Sequence, residues 1–247
     1  MKNIFLLLGL LVFFSTLFIY NLGFYRNILF GDEPQREHAS WMRKNRTYWI
    51  FSLLSSLIVI LYLYYSYSIE AKVFIAILSI ISFLYIIHNI SIFRIKISIR
   101  NIPFLKTIIV SIIWTLITIA PQVIESHLYT SDTPWINLLG WRFFFVLPIT
   151  LMFDIRDINS DPERLKTIPR TLGSTWTKII ALLSLILALY FFLLMDFSAE
   201  IYFSIAIVYL LMIISIFNSD PKRGELYYSG WFDGLMALHS IIIISLF

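Results

Sequence analysis

Apolar residues run along this chain in long unbroken blocks, separated by short polar stretches, with none of the strict alternation of a half-buried strand. A hydrocarbon core of about 30 Å needs roughly 20 helical residues to cross it. Eight blocks approach that length: Ile4–Leu22, Tyr48–Tyr67, Lys72–Ile92, Phe104–Ile124, Trp135–Phe153, Trp176–Met195, Ile201–Phe217 and Gly230–Phe247. The pattern predicts an all-α, polytopic transmembrane helical bundle of about eight spans, a single transmembrane domain over residues 1–247. The first block is longer than the core of a secretory leader, and no small-residue cleavage site follows it, so it reads as a retained span.

Charge adds an orientation. The first, third, fifth and seventh connections hold sixteen of the nineteen Lys and Arg residues. The even-numbered connections are short and carry mainly Glu70, Glu125, Asp132, Asp196 and Glu200. Basic loops stay on the cytoplasmic side, so the odd-numbered loops are expected there, with both termini outside. The expected location is a cell membrane of the bacterial inner-membrane type. One missed span would scramble the alternation, so the charges support the count. Pro121 and Pro148 fall within or near spans, where membrane helices tolerate kinks. "FRIKISIR", residues 93–100, reads either as a basic loop that fixes topology or as an extended segment lying along the membrane surface.

Composition narrows the chemistry. Charged residues are 14% of the chain, against about 25% in a soluble domain. There is no cysteine, which excludes disulfides, thiol nucleophiles and thiolate metal sites. A net charge of +4 on such a chain points to topology and anionic membrane lipid, with no nucleic-acid partner expected.

The densest polar chemistry lies in "FDIRDINSDPERLKTIPRTLG", residues 153–173. If the fifth span stays helical to Asp161, then Asp154, Asp157 and Asp161 share one face, within about 60° of each other at 3.6 residues per turn. Like charges at that spacing repel, and the C-terminal end of a helix disfavours anions. A divalent cation would reverse the balance. Carboxylates suit Mg²⁺, which is usually completed by substrate phosphates, so a diphosphate enters the reading. Arg164, Lys166 and Arg170 follow with charge for phosphate oxygens. Asp161-Pro162 has the form of an N-cap followed by a first-turn proline. The competing reading is a solvated cytoplasmic loop with a cap.

The stretch from Asp154 to Gly173 resembles the second aspartate-rich motif of the UbiA superfamily of intramembrane prenyltransferases. Asp154, Asp157 and Asp161 stand at its acidic positions, and Lys166, Thr167, Ile168, Pro169, Leu172 and Gly173 match the downstream element. The resemblance extends to organisation if the eight spans correspond to the second through ninth helices of that family. It then places a first motif near Tyr20–Asn27. Asn21 fits the opening asparagine there, but Leu22, Tyr25 and Leu29 occupy positions where the family has aspartates. Asp32 and Glu33 lie just beyond, in a "GDEP" that reads equally as a turn.

What the resemblance implies is a UbiA-like bundle around a cavity open to the cytoplasmic side and the lipid. A polyprenyl diphosphate would lie on Mg²⁺ held by Asp154, Asp157 and Asp161, which are also the implied catalytic residues. Asn21, Arg26, Lys166, Arg170, Lys222 and Arg223 are the implied diphosphate-binding residues. The implied function is Mg²⁺-dependent transfer of a polyprenyl group from a prenyl diphosphate to an aromatic or other lipophilic acceptor. The alternatives are a catalytically inactive relative that binds a lipid or acts as a scaffold, and a small transporter.

Other polar residues carry weaker signals. "NSDP" occurs at 159–162 and again at 218–221, where it reads as a cap starting a helix; Lys222 and Arg223 follow the second copy. His88, Asn89, Gln122, Glu125, Arg142, Asp233 and His239 lie in or near spans, where polar residues are functional candidates by default. Arg142 and Glu125 are expected near the outer face, in an ion pair or snorkelling. His127 is expected outside, and Asp233 close enough to the cytoplasmic end to be a cap. No zinc-protease, serine-hydrolase or P-loop signature is present.

Overall fold

The computed structural model describes residues 2–30, 44–86, 90–92, 95–97, 104–126, 135–159 and 166–245, with side chains for 6–22, 44–85, 104–126, 135–159 and 166–242. The described chain is almost entirely helical. Its helices are α1 Lys2–Phe30, α2 Arg46–Tyr65, α3 Ile69–Ile86, α4 Leu105–Glu125, α5 Trp135–Arg156, α6 Ile168–Leu193, α7 Ala199–Phe217 and α8 Asp233–Ser245. A short antiparallel hairpin, β1 Ile90–Ile92 with β2 Ile95–Ile97, pairs Ile90 with Ile97 and Ile92 with Ile95. Among the described residues, five stretches are long and apolar enough to cross a membrane: Arg46–Tyr65, Leu105–Glu125, Trp135–Asn159, Ile168–Leu193 and Ala199–Phe217. The apolar part of α1, Leu6–Leu22, is shorter.

Each expected span falls on a helix, but several ends move. α1 runs on through the Tyr20–Asn27 stretch to Phe30. α3 stops at Ile86, six residues short of its expected end, and Ile90–Ile92 is strand. The β-branched residues of "ISIFRIKI" suit an extended backbone, and basic Lys96 lies on the strand β2. α6 begins at Ile168, eight residues before Trp176, with Pro169 in its first turn. Gly173 then breaks it at φ +84°, a conformation that an L side chain resists.

The chain forms two compact units. The first comprises residues 1–98 and 120–127, the second 99–119 and 128–247. In the first, Asn21 Nδ2 donates to Ser52 Oγ across α1 and α2 at 3.4 Å. Tyr64 Oη donates to Lys72 O, tying α2 to α3. Glu125 Oε1 accepts the Ser68 amide at 2.7 Å, placing a carboxylate at the N-terminus of α3, where the helix dipole favours it.

In the second unit α5 is central. From Phe145 to Ile155 nearly every side chain is buried. Ser184 Oγ of α6 donates to Phe144 O of α5. Gly140 sits against the Phe191 ring of α6, where an added Cβ would lie 2.7 Å from a ring carbon. Small residues permit this close approach between membrane helices. On the other side, Trp141 Nε1 donates to Tyr209 Oη of α7. A π-helical turn, Tyr227–Phe232, leads into α8. It is anchored by Tyr227 Oη and Trp231 Nε1, which donate to Ser215 O and Ser215 Oγ of α7.

Candidate functional site

α5 ends at Arg156, and Asp157–Asn159 continue as a 3₁₀ turn. The expected continuous helix to Asp161 is therefore cut short. Asp157 is set by the change of helix type and not by a continuous α-helical face shared with Asp154. Asp161, Pro162 and Arg164 lie outside the described residues.

Asp154 is 2% exposed. Lys106, in the first turn of α4, places Nζ 3.0 Å from Asp154 Oδ1 and 3.8 Å from Asp157 Oδ2. Thr107 Oγ1 donates to Asp154 Oδ2. Arg156 forks onto its neighbour, with Nε donating to Asp157 Oδ1 at 2.8 Å and Nη2 to Oδ2 at 3.2 Å. All four carboxylate oxygens therefore accept from the chain's own donors. The Arg156 guanidinium also lies over the Phe153 ring at 4.6 Å and acts electrostatically on Asp233 at the start of α8.

The starts of α4 and α6 meet here, because the Phe104 amide donates to Lys166 O at 3.3 Å. Phe104 holds φ +62° at this junction, an uncommon conformation for a bulky residue. Lys166 is exposed, and Arg170 Nη2 donates to Ile158 O at 2.6 Å. Two of the expected basic residues thus border the Asp157 turn. Thr167 occupies the N-cap position of α6. The K-T-I-P element therefore starts this helix beside the aspartates.

Lys222 and Arg223 lie in the turn after α7 and are exposed. The second "NSDP" closes a helix instead of opening one. Asn218 is the C-cap of α7, and Asp220 Oδ1 accepts the Lys222 amide. Tyr228 Oη, in the π turn, accepts from the Asp220 amide and donates to Asp220 O. The Tyr228 ring lies 6.3 Å from that of Phe153, which links this turn to the end of α5. Arg223 donates to Asn218 O and lies over the Tyr227 ring, so its charge is pinned to its own turn. Asn21 belongs to the other unit, and the side chain of Arg26 lies outside the described residues, as do His88, Asn89, His127, Asp32 and Glu33.

Arg142 departs most from expectation. It does not snorkel: it is 1% exposed and has no carboxylate partner among the described residues. Nε donates to Thr118 Oγ1 at 3.3 Å, Nη1 to His239 Nδ1 at 2.7 Å and Nη2 to Ser240 Oγ at 2.8 Å. A guanidinium only donates, so His239 Nδ1 accepts and the ring proton sits on Nε2. His239 is a neutral imidazole, stacked on Phe145 with centroids 3.7 Å apart. Its Nε2 is buried without a hydrogen-bond partner among the described residues. Glu125, the other expected outer-face charge, is taken up by the Ser68 amide.

Sequence reasoning missed Lys106 as a site residue and the pairing of Arg142 with His239. Lys106 counted only as a topology-setting charge, although "FLKT" places it and Thr107 at a span start. Arg142 with His239 needed contact between α5 and α8, ninety-seven positions apart, which no local pattern reveals.

Mg²⁺ is the metal that the motif implies. Among the described residues no group of three or more His, Asp or Glu side chains is arranged to hold a metal ion. Asp154 and Asp157, with every oxygen engaged and an ammonium between them, do not fit one as they stand.

By its long apolar helices, the chain is an integral membrane protein with an all-helical transmembrane architecture. No protein-family model, curated protein or solved structure matches it.

Proposed function

We propose that this chain is a UbiA-like intramembrane protein of eight spans. It binds a polyprenyl diphosphate where α4, α5 and α6 meet, and passes the prenyl group to a lipophilic acceptor. The observation that carries this reading is the clustering of Lys106, Asp154, Asp157, Lys166 and Arg170 around one junction, fixed by the Phe104–Lys166 backbone bond. In such a transfer the allylic C–O bond breaks heterolytically, both electrons leave with the diphosphate, and the allylic cation is captured by the acceptor. The chain's part is electrostatic: fixed positive charge at the leaving group stabilises what develops there. Lys166 and Arg170 supply that charge, and the buried Asp154 holds Lys106 in place.

An apolar groove of about 290 Å³ runs between α4, α5 and α6, walled by Ile112, Leu116, Leu139, Phe143 and Phe191. It lies toward the opposite end of α5 and suits a hydrocarbon tail.

The second reading is binding without transfer. It is favoured by the full engagement of the Asp154 and Asp157 oxygens and by the leucines and tyrosine in place of first-motif aspartates.

The test uses the purified protein in detergent with prenyl diphosphates of several lengths and a panel of aromatic acceptors. Diphosphate release is followed with Mg²⁺ or EDTA present, for wild type, Asp154→Ala and Lys166→Met/Arg170→Met. Release that fails in the variants supports transfer. Saturable binding without release supports the second reading, and no binding of any prenyl diphosphate sinks both.

A further inference from the structure

We infer that Lys106 is a tethered cation standing in the place of a divalent metal between Asp154 and Asp157, so that this end of the bundle binds its anionic ligand without Mg²⁺. The ammonium bridges one oxygen of each carboxylate, at 3.0 and 3.8 Å. The remaining oxygens are taken by Thr107 and Arg156. Two cations, Lys106 and Arg156, thus face the two carboxylates. A divalent ion between the carboxylates would have to displace Lys106, which is 14% exposed and closely held. Mg²⁺ also sheds its own water reluctantly and demands near-octahedral oxygen ligands. The exchange would leave an ammonium without its main counter-charge in a poorly hydrated place.

Lys166 stands exposed at the border of the cluster, and Arg170 reaches the Asp157 turn through Ile158 O. An anion can be held there by basic side chains alone. Identifying that anion as a prenyl diphosphate rests on the function proposed above; the displacement of metal by Lys106 does not. Lys106 is a positioning residue: it touches the carboxylates and sets their charge and direction.

The experiment is a titration of the purified full chain with Mn²⁺, read by the loss of the free-ion EPR signal. Wild type and the charge-keeping Lys106→Arg are expected to show no saturable binding. Lys106→Met, with two carboxylates and no ammonium, should bind Mn²⁺ at least about tenfold tighter, and its thermal midpoint should rise with Mg²⁺ while that of wild type does not. In parallel, a fluorescent prenyl diphosphate analogue should bind wild type equally in Mg²⁺ and in EDTA. Saturable Mn²⁺ binding by wild type that is lost in Asp154→Asn overturns the inference, and this arm decides even if Lys106→Met does not fold. Binding of the analogue that EDTA abolishes overturns it as well. If the analogue binds under no condition, the prenyl diphosphate reading fails, and the Mn²⁺ arm still decides the role of Lys106.

Discussion

At the end of α5 two carboxylates meet two cations; twelve residues earlier on the same helix, about 18 Å away at 1.5 Å per residue, one guanidinium meets an imidazole and two hydroxyls. Both clusters bury charge, but they compensate it differently. The end cluster cancels charge with charge, and each member depends on the opposite sign beside it. The interior cluster satisfies the donors of Arg142 with neutral acceptors and leaves its net charge in place. Taking one partner from a matched pair exposes the other's full desolvation cost, whereas taking out an unmatched charge removes the cost along with the group. The two clusters should therefore respond oppositely to truncation.

The largest effect is expected from Asp154→Ala. It takes from Lys106 its nearer carboxylate, leaving Asp157 at 3.8 Å, and removes the acceptor of Thr107, and should lower unfolding stability in detergent by about 3 kcal/mol. A double-mutant cycle with Lys106→Met should recover part of that loss; strict additivity would break the matched-pair account. Next comes Gly173→Ala. Nothing lies near the new Cβ, so packing is not the issue; the cost comes from φ +84° and should be about 1–2 kcal/mol. Because Gly173 frames the start of α6, this variant should weaken prenyl diphosphate binding while leaving the Arg142 cluster untouched.

A smaller change is expected from Arg142→Met, within about 1 kcal/mol of wild type in either direction. A loss as large as that of Asp154→Ala would show that Arg142 is paired with an opposite charge after all, and would end the contrast. The finest measure is spectroscopic. Nitrogen NMR of His239 in the intact protein should report a neutral ring protonated at Nε2, and Arg142→Met should release that tautomer preference. A charged ring at neutral pH would contradict the donor geometry of Arg142.

Much of the architecture could be read directly. The apolar blocks correspond to helices because a chain in lipid must satisfy every backbone amide within its own segment, and apolar run length is a property of sequence alone. The start of α6 was less legible: its span was expected from Trp176, whereas the K-T-I-P element opens the helix at Ile168 and Gly173 breaks it at a positive φ. The two-strand hairpin was less legible, since an apolar β-branched run such as Ile90–Ile92 serves helix and strand alike.

By itself the sequence determined where the helices lie, which loops are basic and that three aspartates gather where α5 ends, because periodicity, length and charge are written in neighbouring positions. Only the tertiary structure decided what Asp154 and Asp157 face. Lys106 comes from another helix forty-eight residues before Asp154, and it reaches the carboxylates because α4 and α6 begin side by side at the Phe104–Lys166 bond. The partners of Arg142 likewise come from α4 and α8. Whether a carboxylate awaits a metal or already holds an ammonium depends on contacts a few ångströms long between distant segments, and local pattern carries no record of them.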